Sequence, residues 1–300
     1  MKIHIAASMI LICLVLAGCG AAGKKTADAP PPPPQEETAT PEKPSKNASE
    51  TDLPYRVASD DLSNLQQESA SIPLYDAHTL AERQALGLPT ALPELTPYRK
   101  EKTVYLTFDD GPDAKNTPAV LDILAENDVK GTFYVLGRNA AAHPEIVARM
   151  LQEGHAIGNH SYDHDYGRLY ASPDNYLEEM EQTDEILHGL LGLRPLITRA
   201  PGGRFGHFNG IYELIMAENG YVEHDWNVSS ADADPNHPVA QDFIDNIDSQ
   251  TDDGKESAII LMHSSENHEE TVKALPEIIR ILKEKGYHFG VITPMTPQPW

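Results

Sequence analysis

Residues 106–112 read LTFDDGP and join an apolar run to two adjacent carboxylates and a Gly-Pro pair. The alternation of apolar and polar residues that starts at Val104 predicts a β-strand, and the Gly-Pro pair predicts that the strand ends in a turn. Asp109 and Asp110 would repel each other at the end of a buried strand unless a cation or a proton transfer uses them. The stretch therefore indicates either a solvated turn or a metal ligand beside a general base.

The same strand-then-turn pattern recurs from about Pro97 onward and alternates with helical segments. The β-rich runs are 104–108, 132–136, 156–159, 197–200, 222–226, 258–262 and 288–292. Seven strand–helix alternations predict an α/β domain whose parallel strands close, or nearly close, into a barrel. An open doubly wound sheet is the alternative, although no Gly-x-Gly-x-x-Gly follows the first strand.

Polar residues of chemical interest fall at one place in this repeat, at the end of a strand or just after it. They are Asp109, Asp110, His160, His164, Arg199, Asp225 and His263. In a parallel barrel these positions share one rim, which is where active sites form. Their convergence favours a catalytic site over a set of unrelated surface residues.

His160 and His164 are spaced so that one ion could bind both imidazoles. Alone, such a pair can equally be solvated or structural. With a carboxylate from another strand it becomes a two-His, one-Asp site that leaves positions open for water and substrate. Zinc is the expected ion, and cobalt, nickel or iron would also suit these ligands. No Glu lies between the histidines, so the base must come from elsewhere, and Asp109 is available.

Five motifs in this part of the chain together resemble those of the polysaccharide deacetylases, carbohydrate esterase family four, also called the NodB-homology domain. In order they are Thr-Phe-Asp-Asp-Gly-Pro, His-Ser-Tyr-Asp-His, Arg-Ala-Pro-Gly-Gly, Asp-Trp and Leu-Met-His. The resemblance implies a distorted (β/α)7 barrel over residues 98–296. It also implies a metal-dependent hydrolase that acts on carbon–nitrogen bonds other than peptide bonds and removes N-acetyl, sometimes O-acetyl, groups from polysaccharides.

The resemblance also assigns roles to individual residues. Asp110, His160 and His164 would hold Zn²⁺, with Co²⁺ or Ni²⁺ in substitution, and Asp109 would be the general base oriented by Arg199. The backbone N–H of Gly202 would stabilise the oxyanion. His263 would protonate the departing amine, with Asp225 raising its pKa, and Trp226 and Leu261 would form the wall against the acetyl methyl group.

Simpler interpretations exist for the auxiliary residues: Arg199 as a surface charge, Asp225 as a strand-end cap, Trp226 as core and His263 as a satisfied buried histidine. The sequence also departs from the family pattern twice. Gly202-Gly203 replaces the common Tyr-Gly or Phe-Gly, and Ser264 follows His263 where many members have Asp. The first departure affects substrate contacts more than chemistry, because a backbone donor does not depend on its side chain.

The N-terminal part predicts export and anchoring. Residues 1–18 resemble a lipoprotein signal peptide, and the Leu-Ala-Gly-Cys sequence ending at Cys19 resembles a lipobox, so Cys19 would carry the lipid. A plain secretory signal is the alternative. Residues 19–53 are Pro-rich and predict a disordered tether. Residues 54–97 predict an extension packed on the barrel, with short helices near 60–69 and 77–86.

The charge balance restricts the partners. Acidic residues outnumber basic ones, 46 to 23, which argues against binding of nucleic acid. A lipid anchor, a stalk and an acidic head favour the extracellular face of the cell membrane, with a monomer reaching into the cell wall. Peptidoglycan N-acetylglucosamine is then the expected substrate. The alternatives are N-acetylmuramic acid, chitin, an exopolysaccharide or acetylated xylan, and, in another class, a non-catalytic glycan-binding lipoprotein.

Overall fold

The computed structural model describes residues 53–299 apart from positions 100, 237, 252 and 253. The predicted signal peptide, Cys19 and the predicted tether up to position 52 lie outside the described residues. Within the described part of the chain, no helix has the length and apolar character needed to cross a bilayer.

Strands and helices alternate along most of the described chain. In chain order they are β1 (Arg56–Val57), β2 (Leu74–Asp76), α1 (Leu80–Leu86), β3 (Thr103–Asp109), α2 (Asn116–Glu126), β4 (Thr132–Val135), α3 (Gly137–Ala142), α4 (Pro144–Gln152), β5 (Ala156–Asn159), α5 (Tyr166–Leu169), α6 (Pro173–Leu191), β6 (Arg194–Pro195), β7 (Ile197–Thr198), α7 (Gly210–Glu218), β8 (Val222–Glu223), β9 (Val228–Ser229), α8 (Ala240–Gln250), β10 (Ser257–His263), α9 (Glu269–Glu284) and β11 (His288–Gly290).

The main sheet contains eight of these strands, in the order β8-β7-β5-β4-β3-β10-β9, with β11 paired to β3. Every pairing in it is parallel. The two ends of this path, β8 and β9, are joined by residues 224–227 but form no ladder with each other among the described residues. The sheet is therefore curled and incompletely closed, which confirms the predicted α/β fold with parallel strands in a distorted barrel.

The predicted strand over 222–226 is shorter in the structure, and a further strand, β9, follows it. The cause lies in Arg199. Its Nε donates to the carbonyl of His224 at 3.0 Å and its Nη2 to the carbonyl of Asp225 at 3.4 Å. These carbonyls bond to a side chain and not to a neighbouring strand, so the chain leaves the sheet where it passes the site.

Alternation along β3 decides which side chains face the inside of the barrel. Val104, Leu106 and Phe108 belong to the main core between the sheet and the outer helices. Tyr105 belongs to a second apolar cluster inside the barrel, together with Tyr134, Ile259 and Val291. Asp109 lies two and four residues beyond Thr107 and Tyr105, so its carboxylate emerges on the interior face, at the carboxyl end of the sheet.

Residues before the barrel form a small second sheet with it. In this sheet β1 pairs with β2, and β2 pairs antiparallel with β6 of the barrel region. Tyr75 of β2 is buried, and its hydroxyl accepts a hydrogen bond from the backbone N–H of Ile157 on β5 at 2.9 Å. The contact ties this segment directly to a strand that carries the site.

Of the two short helices predicted in this segment, the one near 77–86 is present as α1, whereas the one near 60–69 is absent from the structure and is replaced by turns. Polar side chains explain the difference. Asn64 accepts from the backbone N–H of Ser59 at 2.7 Å, and Asp61 accepts from that of Ser63 at 3.1 Å. Such local bonds compete with helix formation.

Candidate active site

The two aspartates of the first motif take different positions although they are adjacent. Asp109 is the last residue of β3 and is buried. Asp110 follows in the left-handed region, with φ 69°, and its side chain is partly exposed. The structure thus allows one turn to offer two carboxylates to different partners.

Asp110, His160 and His164 converge, with ligand atoms that all lie within 4.8 Å of one another. Oδ1 of Asp110 is 3.5 Å from Nε2 of His160 and 3.8 Å from Nε2 of His164. This Oδ1 atom is buried and has no hydrogen-bond partner among the described residues. A buried carboxylate oxygen without a donor, facing two imidazole nitrogens, is the arrangement that a divalent cation satisfies.

The tautomer of His160 supports the same conclusion. Its Nδ1 lies 2.8 Å from the carbonyl oxygen of Arg199, so Nδ1 carries the proton and Nε2 keeps its lone pair. Burial lowers the pKa of His160, against the opposing effect of the nearby Asp109 and Asp110 carboxylates. A neutral imidazole with a free Nε2 is the form that binds metal. The donor set therefore fits the metal that the sequence predicts.

Strained backbone is concentrated around these ligands. Asp110, Ser161 and His164 all have positive φ, at 69°, 73° and 64°, and none is glycine. Each such residue typically costs about 1–3 kcal/mol and persists only where the surroundings impose it. Here the side chain of Asn159 accepts from the N–H of Ser161 at 3.0 Å, and Ser161 Oγ accepts from the N–H of His164 at 3.1 Å. The loop is held in shape by its own polar groups.

Arg199 is fully buried and holds Asp109 in place. Its Nη1 donates to Oδ1 of Asp109 at 2.9 Å and to Oγ1 of Thr107 at 2.6 Å. Its guanidinium carbon lies 4.3 Å from the centre of the Tyr134 ring and 5.7 Å from that of Trp226. A charge-assisted bond fixes one carboxylate oxygen, and Oδ2, which is 3.8 Å from Nε2 of His160, faces the ligand cluster.

His263 lies beside Asp109, since the two occupy partner positions on β10 and β3. The prediction that Asp225 is its acidic partner is wrong. Asp232 takes that place, with Oδ1 2.9 Å from Nδ1 of His263, and it also accepts from the backbone N–H of His263 at 2.7 Å. Oδ2 of Asp232 accepts a further hydrogen bond from Thr271 at 2.8 Å.

The protonation of His263 follows from this pair. Burial alone would lower its pKa, but the hydrogen bond and the charge of Asp232 raise the pKa of His263 to about 9. Burial likewise opposes ionisation of Asp232, and His263 nonetheless keeps the pKa of Asp232 below its usual value. At neutral pH the imidazole is therefore cationic, with Nδ1 on Asp232 and Nε2 4.0 Å from Oδ2 of Asp110.

Asp225 belongs instead to the neighbouring turn. Its Oδ2 accepts from the backbone N–H of Arg204 at 3.3 Å, and its Oδ1 lies 3.2 Å from the point that a Cβ on Gly203 would occupy. Burial raises the pKa of Asp225. The sheet is broken between β8 and β9, and the chain there directs Asp225 towards the 199–204 turn and away from β10. Asp225 is therefore not the partner of His263.

The remaining predicted residues also lie around the cluster. Gly202 is exposed, has φ 75°, and its N–H donates to no acceptor among the described residues. The Trp226 ring lies 2.8 Å from the Cβ position of Gly203, so only glycine fits there. Leu261 is partly buried and lies two residues before His263 on the same face of β10. The roles of these three residues remain predictions from the sequence.

Sequence reasoning missed two supporting residues. Asp232 follows β9, whose two residues give too short an apolar run to be recognised, although a carboxylate just after a strand is the signal that found the others. Asn159 ends β5, and its amide donates to Oδ1 of Asp184 at 2.7 Å and to the carbonyl of Met180 at 2.8 Å. Asp232 orients the imidazole of His263, and Asn159 holds the loop between His160 and His164 through its bond to the N–H of Ser161.

Comparison with known proteins agrees with this geometry. The family described as Polysaccharide deacetylase matches residues 97–223. A peptidoglycan-N-acetylglucosamine deacetylase of Bacillus cereus is 35% identical over 195 residues, which cover 64% of this chain and 69% of that protein. The peptidoglycan-N-acetylmuramic acid deacetylase PdaA of Bacillus subtilis is 34% identical over 198 residues, covering 64% of this chain and 71% of that protein.

A solved structure is also similar to this chain. A CE4 esterase from Streptococcus mutans superposes with a TM-score of 0.62 at 30% identity, covering 70% of this chain and 94% of that chain. Fold and site together define a hydrolytic enzyme of a metal-dependent class. The chain belongs to the polysaccharide deacetylase family, carbohydrate esterase family four.

Exchange of each aspartate separately tests their predicted division of roles. Asp110→Asn should lower metal content, because a neutral amide is a poor ligand. Asp109→Asn should keep the metal and lower the rate of acetate release by about a hundred- to ten-thousand-fold, as is typical when a general base is lost. Metal per chain and acetate release are measured for both variants. Near wild-type turnover in Asp109→Asn, or loss of metal from it alone, would contradict the assignment. Loss of metal from both would mean that the carboxylates act as a coupled pair.

The Asp232–His263 pair predicts a pH effect. His263 can donate a proton only below its raised pKa of about 9, and Asp232→Asn removes the charge that raises it. The alkaline limb of the pH–rate profile should therefore move down towards the ordinary imidazole value of about 6.5, with activity at pH 8 falling by about tenfold or more. Asp225→Asn is the matched control and should leave that limb in place. An alkaline limb that does not move in Asp232→Asn would show that His263 is not the acid.

Proposed function

We propose that this protein is a zinc-dependent N-deacetylase of peptidoglycan that removes the acetyl group of N-acetylglucosamine. The observation that carries the proposal is the arrangement at the carboxyl ends of β3, β5, β7 and β10. There Asp109, fixed by Arg199, lies between the Asp110–His160–His164 cluster and a cationic His263. The names of the relatives support the choice of polymer.

Each side chain then has one task. A zinc ion held by Asp110, His160 and His164 would polarise the acetyl carbonyl and lower the pKa of water. Oδ2 of Asp109 takes the proton of that water, because Arg199 already occupies its other oxygen. The free N–H of Gly202 donates to the oxyanion.

Departure of the amine needs a proton, and His263 supplies it. Its Nε2 points into the cluster, whereas its Nδ1 is bonded to Asp232, so the proton available to the substrate is the one on Nε2. The proposed base and acid lie on paired strands, where Arg199 holds the carboxylate of one and Asp232 holds the imidazole of the other. Attack and departure can therefore occur at one bound acetyl group.

Acetate release tests this function and its alternatives together. Peptidoglycan, N-acetylglucosamine oligomers and acetylated xylan are each incubated with the enzyme, with and without a chelator, and the peptidoglycan product is hydrolysed to identify glucosamine or muramic acid. We expect release from peptidoglycan, appearance of free glucosamine amines, loss of activity on chelation and recovery with zinc or cobalt. Full activity of metal-free protein would refute the metal assignment. Glycan binding without release would support a non-catalytic lipoprotein.

We also propose that a lipid on Cys19 anchors the protein as a monomer to the extracellular face of the membrane. The lipobox-like sequence and the Pro-rich segment after it support this placement. In cells, Cys19→Ser should move the protein from the membrane fraction to the soluble or secreted fraction, because two acyl chains are needed for firm attachment. Recovery of the variant in the membrane fraction at the wild-type level would contradict the anchor.

A further inference from the structure

A tyrosine occupies the space that a side chain at position 202 would fill. A Cβ on Gly202 would lie 2.7 Å from Oη of Tyr166 and 2.9 Å from its ring carbon Cε1. These separations are shorter than real Cβ contacts, so a larger residue at 202 and the observed Tyr166 exclude each other. The phenol therefore covers the turn that carries the predicted oxyanion donor.

The same ring borders the metal-ligand cluster. The Tyr166 ring contacts that of His164 edge to face, with centroids 5.0 Å apart and planes at 87°. Burial raises the pKa of Tyr166, and the nearby carboxylate of Asp110 raises it further. Tyr166 thus lies between His164 and Gly202 and contacts both.

Packed aromatic residues hold Tyr166 in this position. Its ring stacks on Tyr170 at 6.0 Å, and Tyr170 in turn stacks on His207 at 4.7 Å. Oη of Tyr170 donates to the carbonyl of Pro201 at 2.7 Å, and Oη of Tyr212 donates to the carbonyl of Tyr170 at 3.3 Å. The support reaches into a buried apolar cluster, so little conformational freedom is lost when a ligand binds.

Tyr166 itself remains available to a ligand. The residue is 44% exposed, and its hydroxyl has no hydrogen-bond partner among the described residues. A rigid ring with a free hydroxyl offers both an apolar surface and a polar group. A sugar presents the complementary chemistry, with C–H groups on its ring and hydroxyls around it.

We propose that Tyr166 is a specificity-determining residue that positions the N-acetylated sugar through its hydroxyl and ring edge. The sugar, and not the acetyl group, is its target, because the hydroxyl lies 2.7 Å from the Cβ position of Gly202, on the side-chain side of that residue. The N–H of Gly202 is left for the carbonyl oxygen. This inference rests on the proposed function for the identity of the sugar.

Two acetylated substrates distinguish contacts with the sugar from contacts with the acetyl group. An N-acetylglucosamine oligosaccharide carries the sugar, and an aryl acetate carries the acetyl group alone. Tyr166→Phe should raise KM for the oligosaccharide about three- to tenfold with little change in kcat, as expected for one neutral hydrogen bond. Tyr166→Ala should raise the KM for the oligosaccharide further. For both variants kcat/KM for the aryl acetate should stay within about twofold of wild type. Tyr176→Phe removes a buried hydroxyl of the same cluster that has no hydrogen-bond partner among the described residues, and it is the matched control.

A binding measurement keeps the result separate from catalysis. Affinity for the oligosaccharide is measured by calorimetry in an Asp109→Asn background, with and without Tyr166→Phe, and weaker binding of the double variant supports the proposal. Unchanged KM and affinity in the Tyr166 variants would overturn it, as would an equal loss on the aryl acetate. If wild type releases no acetate from the oligosaccharide but binding still depends on Tyr166, the proposed function fails and the sugar contact stands. If neither protein binds the oligosaccharide, both proposals fall.

Discussion

The buried ion pair between Arg199 and Asp109 is the interaction on which the rest of the site depends. Burying a guanidinium carries a large desolvation cost, which is offset only when its donors are satisfied. Here they reach Asp109, Thr107 and the carbonyls of His224 and Asp225. One side chain therefore links β3 to the open side of the barrel, where the chain between β8 and β9 leaves the sheet. Hydrogen bonds from the Arg199 side chain replace, at this place, the backbone ladder that joins neighbouring strands in the rest of the sheet.

Asp109 and His263, the proposed base and acid, illustrate how neighbouring groups obtain different chemistry. Asp109 and His263 are partners in one parallel ladder, so their backbones are held at a fixed separation. Their side chains have separate counterions, Arg199 for the carboxylate and Asp232 for the imidazole. Each of these two groups is thus paired with a charge of its own and does not neutralise the other. The strained turns at Asp110 and His164 add the third component, the metal ligands, without disturbing that ladder.

The sequence predicts the fold class and the convergence of the site, because strand periodicity and residues just after strands are local signals. Asp109, Asp110, His160 and His164 come together as expected. The partner of His263 was missed because a two-residue strand leaves no periodic signal before Asp232. The sequence predicts a helix near residues 60–69 where the structure has turns, because side-chain bonds to the backbone, such as that between Asn64 and Ser59, cannot be recognised from polarity alone. A contact between distant residues decides the first case, and local side-chain bonds to the backbone decide the second.

The segment before the barrel supplies a carboxylate to a buried arginine of the barrel region, so the two parts of the chain cannot be separated freely. Arg194 is fully buried, and its nearest carboxylates are Asp76 of β2 at 3.5 Å and Asp184 of α6 at 3.8 Å. Burial raises the pKa of Asp184 to about 7, so that residue is only partly charged at neutral pH. Asp76, also bound by Arg83, supplies the remaining negative charge. The unit that has to be kept whole in a truncated or transplanted enzyme is therefore larger than the barrel, because the buried Arg194 of the barrel region needs Asp76 of the preceding segment.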